Sequence, residues 1–388
     1  MGGSTGMATM SWTAAVSRRL RRHRLAGPPG DGTPADVAAA ICGAHAQVMS
    51  AAELSIGLRA AGTTREHVRA ALWTERSLVK AFGPRGTVHL LPARDLPMWT
   101  AALAAVPRAL PSQAPGVRLD PAQTDTVVAA VGAALREEEL TLEELDERVA
   151  ALAGSWAGER VMPAFQGFWP RWRQALPVAA ARGQLCFGPP RGRKVTYAHP
   201  ARWLPGFTPA EPGPAAAELA RRWLYAYGPA DPQHFAQWLA APRRWAAELF
   251  DTLADELEPV ELGGARRWRL VGDDATEEPV EGVRLLPYFD AYTVGCHPRE
   301  LLFPDRAAAR ALARGQSGNY PVLLIDGIVG GVWHQRRTGR RIEITVEPLE
   351  PLTAARRRAL DDQAQRVGEV LEAVPRLTIG PVTVGPHA

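Results

Sequence analysis

His45 and Gln47, one alanine apart in CGAHAQVMS (Cys42–Ser50), are the pair whose types and spacing best suit chemistry. An imidazole with an unperturbed pKa of about 6.5 can take a proton from water near neutrality. A carboxamide is no base, yet it can orient a water and stabilise positive charge developing on a neighbouring atom. Two side chains at this spacing point about 200° apart on a helix and to the same side of an extended chain. The pair therefore acts together only if its backbone is extended. Gly43 ends the helix before it, and Ser50 with Glu53 reads as the capping box of the helix after it. Those signals confine the pair to a connector. The competing reading is a connector whose polar groups satisfy hydrogen bonds in the core.

The surrounding elements must place that connector. Thr33, Pro34 and Asp36 start a helix running to about Cys42, a second spans Ser50 to near Gly62, and a third follows Thr63 or Thr64 to about Glu75. Leu78 to Phe82 and Thr87 to Leu91 read as strands joined by the turn GPRG. Three helices and a β-hairpin form the order of a winged helix-turn-helix, whose third helix and wing usually face DNA. The unit recurs: AFGPRGTVHLLPARDLP from Ala81 aligns with CFGPPRGRKVTYAHPARWLP from Cys186. The second wing follows helices over Pro121 to Arg136, after the Thr141 and Glu144 cap, and over roughly Ala164 to Arg182. A third copy has helices over Ala215 to Tyr227, from Asp231-Pro232, and over Pro242 to Leu257, then the wing VELGGARRWRLV. From about Val283 short apolar runs with Asp-Gly and Thr-Gly turns suggest a small β-barrel or open sheet, completed by a helix over Leu352 to Ala373 and the strand LTIGPVTV. The expected fold is α+β: a disordered stretch 1–10, winged helices over 11–110, 111–212 and 213–275, and a β-barrel domain over 276–388.

Of 45 basic residues only Lys80 and Lys194 are lysines, so the positive charge sits almost entirely on arginine, whose fork suits phosphate. Arg85 marks the first wing tip, Arg191, Arg193 and Lys194 the second, and Arg266 and Arg267 the third. The hairpin WHQRRTGRRIEI (Trp333–Ile344) carries Arg336, Arg337, Arg340 and Arg341 around its tip. Arginines also solvate exposed strand edges, but basic loops on three repeated units together with this hairpin point to phosphate contacts along one duplex. Three scattered cysteines and nine histidines without HxxxH spacing give no disulfide framework and no metal site. No secretory signal or membrane span is evident. A cytoplasmic, nucleoid-associated monomer without metal or cofactor is expected.

The chain resembles the winged-helix family of bacterial DNA glycosylases that includes the azinomycin-resistance glycosylase, the AlkZ-like family. The resemblance covers nearly the whole length and rests on the connector, on RGTVHLLPARDL (Arg85–Leu96), on LLPYFDAYTVG (Leu285–Gly295) and on LLIDGIVGGVW (Leu323–Trp333). It implies three tandem winged helices and a C-terminal β-barrel forming a C around DNA, with the Trp333–Ile344 hairpin at the minor groove. In the family the connector carries glutamine, an apolar residue, then glutamine or aspartate. Gln47 matches the second polar position; His45 stands where glutamine is commonest, a His-apolar-Gln variant.

What the resemblance implies is a DNA glycosylase acting on double-stranded DNA that carries N7-alkylguanine, including bulky natural-product adducts and crosslinks, in repair or self-resistance to a genotoxin. An N7-alkylated guanine is cationic and already a good leaving group, so no strong general acid is needed. Gln47 would position water, with His45 as base or second orienter. Both lysines lie in wing hairpins, which favours a monofunctional enzyme over a lyase. The alternative is a non-enzymatic winged-helix regulator or a factor that sequesters damaged DNA; a nuclease would need acidic metal clusters that the sequence lacks.

Overall fold

A computed structural model describes residues 7–107, 113–164, 167–273 and 278–386. Ala8–Met10, read above as disordered, form β1, with Ala8 beside Val260 and Met10 beside Leu262 in parallel register. Residues 1–6 lie outside the described residues. Ser11 caps α1 (Trp12–Arg22) by accepting from the Ala14 amide. Its basic residues do not form an open charged face. Arg18 and Arg19 are buried, the first ion-paired with Asp273 and the second donating to the Gly228 and Pro229 carbonyls. A guanidinium leaves water only where its N–H groups find acceptors, so α1 ties the start of the chain to segments more than two hundred residues on.

In the first unit, Thr33 and Asp36 close a capping box on α2 (Pro34–Ala40). Cys42 and Gly43, with φ of 53° and 95°, turn the backbone out of the helix and into β2 (Ala44–His45). Glycine is needed at 43, where a Cβ would also meet Leu91 Cδ2 at 2.8 Å. α3 (Met49–Gly57), α4 (Arg65–Trp73), β3 (Leu78–Phe82) and β4 (Val88–Pro92) follow, giving a sheet of order β2-β4-β3. The expected Ser50–Glu53 capping box is absent. α3 begins at Met49 after Val48, which offers no side-chain cap, so Ser50 already lies inside the helix and Glu53 pairs with Arg69 instead.

After α5 (Leu96–Ala105), the second unit comprises α6 (Pro121–Glu137), β5 (Leu140–Thr141) and α7 (Leu142–Ala153), the last opened by the Thr141–Glu144 capping box. The long helix expected over 164–182 is not formed. A hairpin of β6 (Arg160–Pro163) and β7 (Phe168–Pro170) takes its first part, and only α8 (Leu176–Ala181) is α-helical. Pro163 and Pro170 supply no amide donors, which interrupts helix propagation. β8 (Cys186–Arg191) and β9 (Lys194–Ala198) complete a sheet of order β5-β9-β8. The third unit has α9 (Pro212–Tyr227), α10 (Pro232–Leu239) capped by Asp231, α11 (Arg243–Asp251), β10 (Leu257–Leu262) and β11 (Ala265–Leu270), and its sheet runs β1-β10-β11.

The C-terminal part carries β12 (Val283–Leu286), α12 (Ala291–Gly295), α13 (Arg299–Leu302), α14 (Arg306–Ala311), β13 (Val322–Ile325), β14 (Ile328–Thr338), β15 (Arg341–Pro348), α15 (Ala354–Leu371) and β16 (Val374–Ile379). Its five strands pair in chain order, β16 lying parallel to β15, with β12 and β16 at the two ends. The expected barrel is therefore an open, curled half-barrel. Leu360, Ala364 and Val367 of α15 share one core cluster with Val283, Leu285 and Leu323, so the helix covers apolar sheet residues that barrel closure would otherwise bury.

Candidate active site

His45 and Gln47 leave the α2–α3 connector in different environments. In β2, His45 pairs with His89 of β4, and the Ala46 amide donates to the Val88 carbonyl, so the backbone here is sheet-paired. His45 is 9 % exposed, while Gln47 is exposed to solvent. His45 lines a cavity of about 10 Å³ together with Arg85, His89, Tyr227, Trp238 and Phe289, the room of roughly one water. Gln47 stands outside that cavity.

Each wall of the cavity has its own structural cause. Residues paired across strands share a face, so His45, His89 and Ala81 stand on one side of the small sheet. The His45 and His89 rings meet edge to face, 5.1 Å between centroids. His89 Nδ1 donates to the Thr87 carbonyl at 2.9 Å, which leaves Nε2 as the basic nitrogen of the neutral ring. Phe289 lies 4.6 Å from the His45 ring with its planes tilted by 31°. Its φ of 53° is a conformation that costs about 1–2 kcal/mol for an L-residue. The next residue fixes it: the Asp290 carboxylate, fully buried, takes Arg59 Nη1 and Nη2 at 2.8 and 2.7 Å and the Ser55 hydroxyl at 2.7 Å. Burial alone would raise the Asp290 carboxyl; Arg59 and these donors hold it below the usual carboxylate range. This cluster joins α3 to the segment after β12.

Arg85 differs most from its sequence reading. Its φ of 60° turns the side chain inward from the turn between β3 and β4, and Nη1 donates to the Trp238 carbonyl of α10 at 2.7 Å. Burial, with the Arg85 charge second, lowers the His45 pKa to about 4. His89 falls well below its ordinary value through burial and the neighbouring His45 and Arg85. Both rings are therefore neutral at pH 7. His45 Nδ1 is buried without a hydrogen-bond partner among the described residues.

The other basic residues divide in the same way. Arg191 pairs with Glu144 at 2.9 Å and contacts the Glu139 carbonyl, and Lys194 faces Glu143 at 3.5 Å, so carboxylates at the start of α7 screen the β8–β9 hairpin. Arg193 is exposed. Arg266 lies over the Trp268 ring at 4.4 Å, and Arg267 pairs with Asp231 at 3.2 Å. In the β14–β15 hairpin Arg336 stands opposite Glu343, while Arg337 donates to the Leu371 carbonyl at 2.8 Å and caps the end of α15. Arg340 and Arg341 are exposed at the tip. Sequence reasoning missed His89, Phe289 and Asp290 as parts of the site. His89 lies within RGTVHLLPARDL and the other two within LLPYFDAYTVG, the segments whose resemblance was noted without a role for these residues.

The DNA glycosylase AlkZ-like family model matches residues 38–370. An interstrand DNA cross-link repair glycosylase of Streptomyces sahachiroi is 31 % identical over 341 residues, covering 83 % of this chain and 87 % of that protein. The structure of the Streptomyces sahachiroi DNA glycosylase AlkZ superposes with a TM-score of 0.81 at 28 % identity, over 96 % of this chain and 100 % of that one. The matched residues include His45, Arg85, His89 and Phe289 and extend into α15, short of β16; the chain belongs to the AlkZ-like family of DNA glycosylases.

Proposed function

We propose that this DNA glycosylase hydrolyses the N-glycosidic bond of N7-alkylguanine in duplex DNA, including bulky adducts and cross-linked bases, with Gln47 as the group that orients the attacking water. The observation that carries the reading is the division within the connector: an exposed Gln47 beside a buried, neutral His45. The related Streptomyces protein repairs interstrand cross-links by its name, and cross-linking agents that join guanines through N7 leave the same cationic leaving group.

The chemistry asks little of the protein. Departure of a positively charged base needs no proton donor, so what remains is to place water at the anomeric carbon and stabilise charge developing on the sugar. Gln47 supplies a carbonyl oxygen for water and a dipole for the sugar. A ring with a pKa of about 4 takes a proton poorly, and a cationic His45 would face Arg85. His45 therefore acts as a neutral orienter of the connector and of water, not as the base. In this reading the three helix-and-sheet units are winged helices around the duplex, with exposed Arg340 and Arg341 at the minor groove and Arg193 on phosphate. Arg85, which the sequence suggested as a phosphate ligand, works from inside the protein. The test is incubation with duplex DNA holding N7-methylguanine or a bulky N7 adduct, scored for free base and abasic sites. Binding without release sinks the proposal.

A further inference from the structure

A second pocket, of about 430 Å³, opens where the first unit meets the second. α3 and α4 supply Met49, Glu53 and Trp73, β3 supplies Lys80, and the second unit supplies Phe187 and Val195. Its volume lies in the range of small-molecule sites, roughly 300–1,000 Å³. Met49 in its wall is two residues from Gln47, which puts the connector within about 7 Å of the pocket along the backbone.

Its chemistry is defined. Glu53 is 1 % exposed and is held by Arg69 Nε at 2.7 Å; burial raises its pKa and Arg69 opposes that shift. Lys80 Nζ lies 5.2 Å from the centre of the Phe187 ring, and burial lowers its pKa. Among the described residues it has no carboxylate partner. An ammonium over an aromatic face, with apolar walls around it, suits a flat aromatic group that carries an acceptor or an anion. Val195, 46 % exposed, leaves one side of the pocket open.

We infer that this pocket binds the part of an N7-guanine adduct that projects from the duplex, an aryl group with an acceptor directed at Lys80. The inference rests on the N7-guanine reading above. A methyl group has no use for such a volume, so the pocket selects bulky adducts without taking part in bond cleavage.

The experiment uses duplexes carrying either N7-methylguanine or the N7-guanine adduct of chlorambucil, whose arm holds a phenyl ring and a carboxylate. Binding is measured on 2′-fluoro nucleotides, which resist cleavage, and release on ordinary ones. The native protein is expected to bind the aryl adduct at least about tenfold more tightly than the methyl adduct, a difference of about 1.4 kcal/mol. Val195→Trp, which fills the pocket from its open side, and Lys80→Met should each bring that preference towards unity while N7-methylguanine release stays within about twofold. No preference in the native protein, or equal losses on both adducts in both variants, overturns the inference. Preferential binding with no base released overturns the glycosylase reading and leaves the pocket standing.

Discussion

Arg85 Nη1 and the Trp238 carbonyl are joined by a 2.7 Å hydrogen bond that ties the β3–β4 turn of the first unit to α10 of the third and sets a guanidinium in the His45 cavity. A residue at the tip of a basic hairpin thereby becomes part of the site's interior. Removing its charge should raise the His45 pKa above about 4, because Arg85 opposes the imidazolium. Titration of the His45 Cε1–H resonance in Arg85→Met and the native protein checks this; an unchanged or lower pKa contradicts it.

Base release should be flat from about pH 5.5 to 8, since His45 and His89 have already lost their protons across that interval. A single-turnover profile that rises with an inflection between pH 6 and 7 would instead identify a histidine of ordinary pKa as base.

Stability should fall with acid before the carboxylates titrate. Burial lowers His23 to about 3, His45 to about 4, His199 to about 4 and His297 to about 3. The folded state thus binds fewer protons than the unfolded chain, whose histidines titrate at about 6.5, and stability is full above that pH and lost as pH falls towards 4. Each such histidine costs up to about 1.4 kcal/mol per pH unit in that window. Urea midpoints at pH 7 and pH 5 measure the effect, and a midpoint no lower at pH 5 contradicts it.

Asp290→Ala leaves Arg59 buried without its carboxylate and should cost about 3–5 kcal/mol by denaturant unfolding. Loss of less than about 1 kcal/mol would mean that the pair does not anchor Phe289 and α3 as described.

Two neighbouring hairpin arginines should separate. Arg337→Ala removes the cap on α15 and lowers Tm, whereas Arg340→Ala and Arg341→Ala leave Tm unchanged and reduce the salt dependence of DNA binding by about one ion each. Equal effects of all three on DNA binding would contradict this division.

Much of this architecture was legible because local signals carry it. Thr33 with Asp36, Thr141 with Glu144 and Asp231 with Pro232 mark helix starts that form with side-chain caps, and the strands at Leu78–Phe82 and Cys186–Arg191 lie where the repeated FGP segments indicate. The failures have equally local causes. Ser50 resembles a cap, but sheet pairing at Ala44 and His45 keeps the chain extended only to Val48 and the helix begins at Met49. Nothing local announces that Asp273 and two carbonyls from distant segments take Arg18 and Arg19 of α1 inside. The connector was found from its residue types, yet the company of His45 was not. His89, Arg85 and Phe289 reach it through a strand pairing, an inward-turned hairpin tip and a chain segment more than two hundred residues away, and no local pattern specifies such meetings. The regulator reading was open in the sequence and closes with membership of a glycosylase family.

In the proposed function the connector carries the reaction through Gln47 while His45 stays neutral. The most direct measurement is single-turnover release of N7-methylguanine from duplex DNA by the native protein, Gln47→Ala and His45→Gln at pH 7. Gln47→Ala should slow release about 100-fold or more with DNA affinity little changed, and His45→Gln, which keeps a neutral hydrogen-bonding group, should retain activity within about tenfold. Undiminished release in Gln47→Ala, or abolition by His45→Gln with the fold intact, would contradict the account.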